Sequence, residues 1–382
     1  MQTTTMISLQ SSKVHVSSSS GFALAAFVRD QCNALKKPYK YEFAIPFWIQ
    51  RMHVLPGNKT LYCPVEKVAT TFWRRVIYQA NHRKVIRHPY QVSIYMALSQ
   101  NFHYPDKEQS AETLKSDFKF FFVRNPFHRI LSAYIDKIFV PNPQFWDQFG
   151  RHSIQMFRKN DSRLCYHDAT FSEFVQFVVW SVGHLKNIDP HFLPATEMCV
   201  PCTMDYSFIG KMESFSDDIY PVLEKIQLGT AIPVLKEDLK EFSNIDALQD
   251  SIFSPYGWKL EILQCMSWYE ALRRVWRKLQ MRGLIDLDHK FPLDKKAAEK
   301  LSKENFLEIA KRAWKESDVN KLKKQKIDVF IEMYRSVPIN VLKKFVTAYK
   351  IDFHLYNYDP SPQEIFNRTL SYTRHNFADF RN

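Results

Sequence analysis

Glycine is scarce in this chain, with only 8 among 382 residues. That argues against an array of tight turns and against a glycine-rich nucleotide loop. Neither GxxxxGK[ST] nor GxGxxG occurs, so the ordinary phosphate-loop NTPase and dinucleotide-binding readings lose their support. Long apolar runs are missing too. The longest, Gly21 to Val28, falls far short of the roughly 20 residues that a membrane-spanning helix requires. The region before it is Ser/Thr-rich and carries only Lys13, unlike the start of a signal peptide. Residues 1–40 therefore read as a polar tail or stem, followed by a single large domain over 41–382. No second cysteine pair or HxxxH lies near Cys199 and Cys202, which is too little for a zinc site.

What is abundant is positive charge. The formal net charge is +13, which calls for an anionic partner such as nucleic acid, an acidic membrane or an anionic polysaccharide. No DNA- or RNA-binding module is visible, and the basic residues are scattered among helical stretches, so nucleic acid is the weakest of the three. An apolar fraction of 45% suffices for a sizeable core.

Two stretches organise the rest. Leu61 to Ala80, LYCPVEKVATTFWRRVIYQA, starts as a short apolar run, turns at Lys67, Thr70 and Thr71, and continues with Phe72 and Val76 in helical spacing. A strand that re-enters as a helix leaves the first helical N–H groups unpaired, which makes an anion site; an ordinary threonine-capped corner is the plain alternative. Phe118 to Ile138, FKFFFVRNPFHRILSAYIDKI, repeats the plan. A buried-strand run is followed by Arg124, Asn125 and Pro126, with a helix opening at the proline. An arginine fork and the Ser132 hydroxyl, at the carboxyl end of a parallel strand, suit a second phosphate.

The pair CPVEKVATTFWRRV and VRNPFHRILSAYIDK resembles the two cofactor motifs of the Golgi carbohydrate sulfotransferases, the group that includes the chondroitin and dermatan 4-O-sulfotransferases. His191 to Ser214 is similar to that family's HW…LC.PC…GK.E segment, and Phe345 to Pro360 to its closing Y..DF..F.Y. The resemblance implies an α/β, P-loop-like sulfotransferase fold, with a central parallel sheet flanked by helices. It also implies a sulfuryl donor, 3′-phosphoadenosine-5′-phosphosulfate, and a carbohydrate acceptor, with no metal and no nucleic acid. In that scheme Lys67, with Val68, Ala69, Thr70 and Thr71, holds the 5′-phosphosulfate and Lys67 neutralises the leaving group; Arg124 and Ser132 hold the 3′-phosphate. By the same resemblance Cys199 and Cys202 are expected in structural disulfides of an oxidising lumen, and a Golgi location and membrane association follow only from it. Three sequons, at Asn58, Asn160 and Asn367, point the same way.

The proton acceptor is harder to place. Relatives carry a histidine in a His-Val-Ser-like segment where this chain has Gln91-Val92-Ser93, and a glutamine is no base at neutral pH. His88 is the chosen substitute, with His103 and His191 as alternatives. Asn125 also stands where the family has an acid, which keeps open a catalytically silent relative that binds acidic glycans. Residues 219–326 read as an enlarged helical insertion. Within it Trp268 to Leu279 is amphipathic, with Arg273, Arg274, Arg277 and Lys278 assigned to a basic outer face that either is solvated or holds an acidic polysaccharide. Lys321 to Lys326 is read as surface or as a neighbour of the 3′-phosphate. Phe139 to Asp161 reads as a loop over the site, and Phe171 to Trp180 as a buried helix.

Overall fold

The computed structural model describes residues 20–35, 51–55, 59–82, 86–98, 116–158 and 164–379. Four strands form one sheet in the order β1 (His53–Leu55), β2 (Thr60–Cys63), β3 (Phe118–Val123) and β4 (Phe208–Lys211). β1 pairs with β2 antiparallel, whereas β2, β3 and β4 run parallel. A parallel strand covered on both faces has no use for alternation, and β3 is buried at every position but Lys119.

The helices are α1 (Gly21–Asn33), α2 (Thr70–His82), α3 (Pro126–Tyr134), α4 (Phe171–His184), α5 (Phe215–Lys225), α6 (Ile232–Tyr256), α7 (Trp268–Met281), α8 (Lys303–Glu316), α9 (Val319–Arg335), α10 (Ile339–Ala348) and α11 (Lys350–Leu355). α2 follows β2 directly and lays Trp73 on the sheet, against Tyr62, Phe120 and Phe122. α3 starts where the sequence places it: Pro126 opens the helix and the Asn125 side chain accepts from the Phe127 N–H. α4 begins with a capping box between Thr170 and Glu173, and Phe174, Val175, Phe177 and Val178 are buried.

Several expectations change. The polar tail is interrupted by α1, whose Leu24, Ala25 and Val28 pack into the sheet's core. The run Gly21–Val28 is too short for a bilayer but long enough to bury one helical face, at about 1.5–3 kcal/mol per large side chain. Cys32 is bonded to Cys202, and Arg29 pairs with Asp205 at 2.8 Å. The stretch read as a loop over Phe139 to Asp161 is, in its described part 139–158, largely not a loop, since Pro143–Phe145, Trp146–Gly150 and Arg151–Gln155 are short helical turns. The basic outer face assigned to α7 is only half realised: Arg274 and Lys278 are buried, while Arg273 and Arg277 face outward.

Leu248 and Ile252 of α6, Trp268, Leu272 and Val275 of α7, and Phe306 and Ala310 of α8 form an apolar cluster together with Val140 and Trp146. The Cys165–Cys265 disulfide ties it to the segment before α4. Cys199 is bonded to Cys63, so the CxxC cysteines go to two different partners. Asp352 of α11 accepts from the N–H groups of Ala195 and Thr196 and from the Thr196 hydroxyl at 2.6–2.9 Å, joining two stretches far apart in sequence. Among the described residues no helix is long and apolar enough to cross a membrane.

Gly210 in β4 lies against the Phe122 ring, and an added Cβ would come within 2.3 Å of it. Gly210→Ala should cost about 1–3 kcal/mol by overpacking, read as a lower midpoint in urea unfolding. An unchanged midpoint would mean that the sheet yields there.

Candidate functional site

The turn between β2 and α2 has a backbone that few side chains adopt. Lys67 (φ 67) and Ala69 (φ 55) are both left-handed. Outside glycine such a conformation costs about 1–3 kcal/mol each, and it persists where the surroundings impose it. The Ala69, Thr70 and Thr71 N–H groups have no acceptor among the described residues. They form the amino-terminal end of a 13-residue helix and so present a concave row of donors with the helix dipole behind it.

The turn is held from below by Arg129. This fully buried guanidinium donates from Nε to the Glu66 carbonyl at 2.9 Å, and from its other nitrogens to the carbonyls of Leu193 and Pro190 at 2.6 and 2.7 Å. The Glu66 carboxylate accepts from the Thr70 hydroxyl at 3.1 Å and lies 3.7 Å from both Arg51 and Arg74. Burial pushes this carboxyl up, but His191, Arg74 and Arg51 outweigh it and hold Glu66 below the usual carboxylate range. Thr70 therefore faces its own turn, while Thr71 has no side-chain partner among the described residues. Val68 packs into the core and contributes only backbone.

Above the turn lies a cation cluster around one acid. Lys67 Nζ is 2.6 Å from Asp136, and Lys278 Nζ of α7 reaches the other carboxylate oxygen at 2.6 Å. Lys137 stands 3.7 Å away. Burial disfavours the Asp136 charge, but Lys278 and Lys67 override it and keep the carboxyl well below its usual range. For Lys67 burial wins over Asp136, and its ammonium is pushed down to about 8.

Arg124 leans over the same turn, its Nη1 3.5 Å from the Lys67 carbonyl. Burial lowers it despite the attraction of Glu213. Glu213 lies just beyond β4, where it accepts from the Asn125 N–H at 3.0 Å and the Tyr358 hydroxyl at 2.8 Å. Arg282 and Lys326 repel Arg124 as near neighbours; Lys326 is itself lowered, first by burial and then by Arg282 and Arg124. Lys321, by contrast, is paired with Asp288 at 2.5 Å on the surface. His128 is pushed down to about 4 by burial and by Arg124, and its ring lies 4.4 Å from that of Phe330. Ser132 sits one turn further on α3, and its hydroxyl has no partner among the described residues.

The histidines divide. His88 lies flat on Phe242 with ring centroids 4.0 Å apart, and the charges that act on it are Arg87 and Asp238. Its ring contacts are Phe242 and Tyr90, and among the described residues no hydrogen bond or ion pair joins it to Lys67 or Asp136. His191 Nδ1 lies 2.6 Å from Asp189, and its ring is edge-on to Phe145, over which the Lys137 ammonium sits at 4.9 Å. His103 and the sequons at Asn58 and Asn160 lie outside the described residues. Sequence reasoning did not find Arg129, Asp136, Lys278, Arg282 or Glu213. Asp136 was in view within the second motif, but its partner Lys278 is 142 positions away.

The sulfotransferase-family profile matches residues 50–251. Carbohydrate sulfotransferase 8 of Mus musculus is 29% identical over 198 residues, covering 50% of this chain and 47% of the relative. Carbohydrate sulfotransferase 14 of Danio rerio is 29% identical over 211 residues (52% and 55%), and carbohydrate sulfotransferase 11 of Mus musculus 30% identical over 207 residues (52% and 59%). The chain thus spans about half the length of the curated relatives it matches. No solved structure matches it. Lys278, Arg282, Lys326 and Tyr358 all lie beyond the matched span, while the turn at Lys67 and the strand ends at Arg124 and Glu213 lie inside it. This chain belongs to the sulfotransferase family.

Proposed function

We propose that this protein moves a sulfuryl group from 3′-phosphoadenosine-5′-phosphosulfate to a hydroxyl of a carbohydrate, an anionic glycan in the lumen of the Golgi or another secretory compartment. One observation carries the reading: three unpaired N–H groups at a left-handed turn, with the Lys67 ammonium beside them and Arg124 above. The alternation suits the tetrahedral oxygens of a phosphosulfate, and the separate Arg124 and Ser132 suit a second phosphate. The three disulfides support an oxidising compartment. Membrane association rests on family likeness alone.

In the transfer, the acceptor oxygen bonds to sulfur as the bond from sulfur to the bridging phosphate oxygen breaks. The leaving 3′,5′-bisphosphate carries off the electron pair, and the hydroxyl proton passes to a base. Lys67 supplies the positive charge at the leaving oxygen. In the free protein it is held by Asp136, and Lys278 keeps that carboxylate paired when Lys67 turns to the donor. The Val68–Thr71 backbone and the Thr71 hydroxyl hold the 5′-phosphate side; Thr70 acts through Glu66. For the base we assign His191 in place of His88. Asp189 orients its imidazole, which acts on Glu66 of the same turn and lies edge-on to Phe145 beside the Lys137 ammonium. A silent glycan-binding relative is the reading that survives if no transfer is found.

Lys67→Ala should lower kcat about 10²–10³-fold in a labelled-sulfate transfer assay over a glycan panel, with folding retained. In the wild type kcat/KM should fall as pH rises through about 8, because Lys67 then loses its charge. Unchanged turnover in the variant would mean that the cradle is misassigned. His191→Gln should lower kcat at least about 100-fold while His88→Gln changes it less than about tenfold; the reverse ranking would return the base to His88.

A further inference from the structure

Beyond the transfer site, α7 presents a second face. A cleft of about 1540 Å³ opens between α7, the end of α9 and the segment 372–379. None of Lys67, Arg124, Asp136 or Lys278 lines it. Four acids among the described residues line it: Glu270 caps Ser267, Glu332 accepts from the N–H groups of Asn376 and Phe377, Asp168 pairs with Arg158, and Asp379 lies in the segment 372–379. Arg335 is likewise committed, to the carbonyls of Glu364 and Asn367. Cations outnumber these acids on the walls. Among the described residues Arg273, Arg277, Lys290 and Arg374 have no ion-pair partner.

Arg273 and Arg277 are one helical turn apart on α7 and partly buried. Like charges at this spacing destabilise a helix, and here burial adds to the cost: Arg277 is lowered first by burial and then by Arg273, with only Glu332 opposing. An anion between the two guanidinium groups would remove that repulsion. The walls carry Tyr269, Phe291 and Tyr372, with Arg273 over the Tyr269 ring at 5.7 Å. Flat rings with apolar faces suit the C–H faces of pyranose rings, and arginine forks suit sulfate and carboxylate.

We propose that this cleft is an accessory subsite for an anionic polysaccharide, a sulfated or uronate-bearing chain whose remote sugars it holds while another part reaches the transfer site. The proposal rests on the transferase reading for the identity of the chain as acceptor, but binding in the cleft is testable by itself.

The probe is chondroitin sulfate, immobilised for salt-gradient elution and free in solution for Kd, with the full chain. Arg273→Gln/Arg277→Gln should elute at lower salt and bind about tenfold more weakly, while binding of 3′-phosphoadenosine-5′-phosphate stays at the wild-type value. Lys343→Gln/Lys344→Gln removes the same charge from the exposed face of α10 and should change little. Equal weakening by both pairs would reduce the effect to net charge and overturn the subsite. So would stronger retention of an oligodeoxynucleotide of matched charge. Arg374→Gln, in the exposed terminal segment, should shift elution the same way and keeps the test open if the α7 pair impairs folding. Glycan binding that depends on Arg273 and Arg277 without any nucleotide binding would retain the cleft and sink the transferase reading.

Discussion

The site depends on one buried guanidinium. Arg129 makes its hydrogen bonds with three main-chain carbonyls and the Met198 sulfur, and one of those carbonyls belongs to Glu66 at the base of the strained turn. Taking such a charge out of water costs several kcal/mol, and hydrogen bonds to a charged group return about 1.5–3 kcal/mol each. Three short ones are therefore enough to keep Arg129 where it is. The consequence is a turn clamped to the segment 190–193, so that Lys67 and Ala69 are kept left-handed although neither is glycine. The Cys63–Cys199 disulfide closes the same region from the other side, at the end of β2. Donors that solvent would otherwise scatter are thereby fixed before any anion arrives.

Electrostatics then divide the labour. Asp136 is the acid at which Lys67, Lys137 and Lys278 meet. Such an arrangement stores Lys67 without leaving the carboxylate bare when the lysine moves. Lys278, and nearby Arg282 and Lys326, lie beyond the family-matched span, so that part of the chain also shapes the site. The same helix α7 turns Arg273 and Arg277 to the opposite side. One helix thus joins the turn at Lys67 to the cleft proposed as a polysaccharide subsite.

Much of this was legible locally. The two strand-turn-helix corners, the proline start of α3 and the buried stripe of α4 all follow from spacing and helix-start chemistry, whereas the Asn125 cap came only with the structure. The anion site at the first corner was legible, but not its left-handed backbone at Lys67 and Ala69, since residues other than glycine give no sign of it in sequence. α1 was missed because its apolar run is short and sits in a polar context; only the facing surface of β4, with Phe208 against Gly21, reveals its use. Amphipathic spacing assigned Lys278 to solvent, but spacing carries no information on a partner 142 residues away. His88 lies near Gln91 in sequence, but its stack on Phe242 joins it to a residue 154 positions away, which spacing does not reveal.

The central claim is a cradle for one phosphorylated end of the donor and a separate arginine for the other. Calorimetry of 3′-phosphoadenosine-5′-phosphate against adenosine 5′-phosphate, on protein made in an oxidising secretory host, tests it most directly. The account predicts tight binding of the bisphosphate and a loss of at least about tenfold in affinity without the 3′-phosphate. Equal affinities, or no binding by a folded sample, would contradict it.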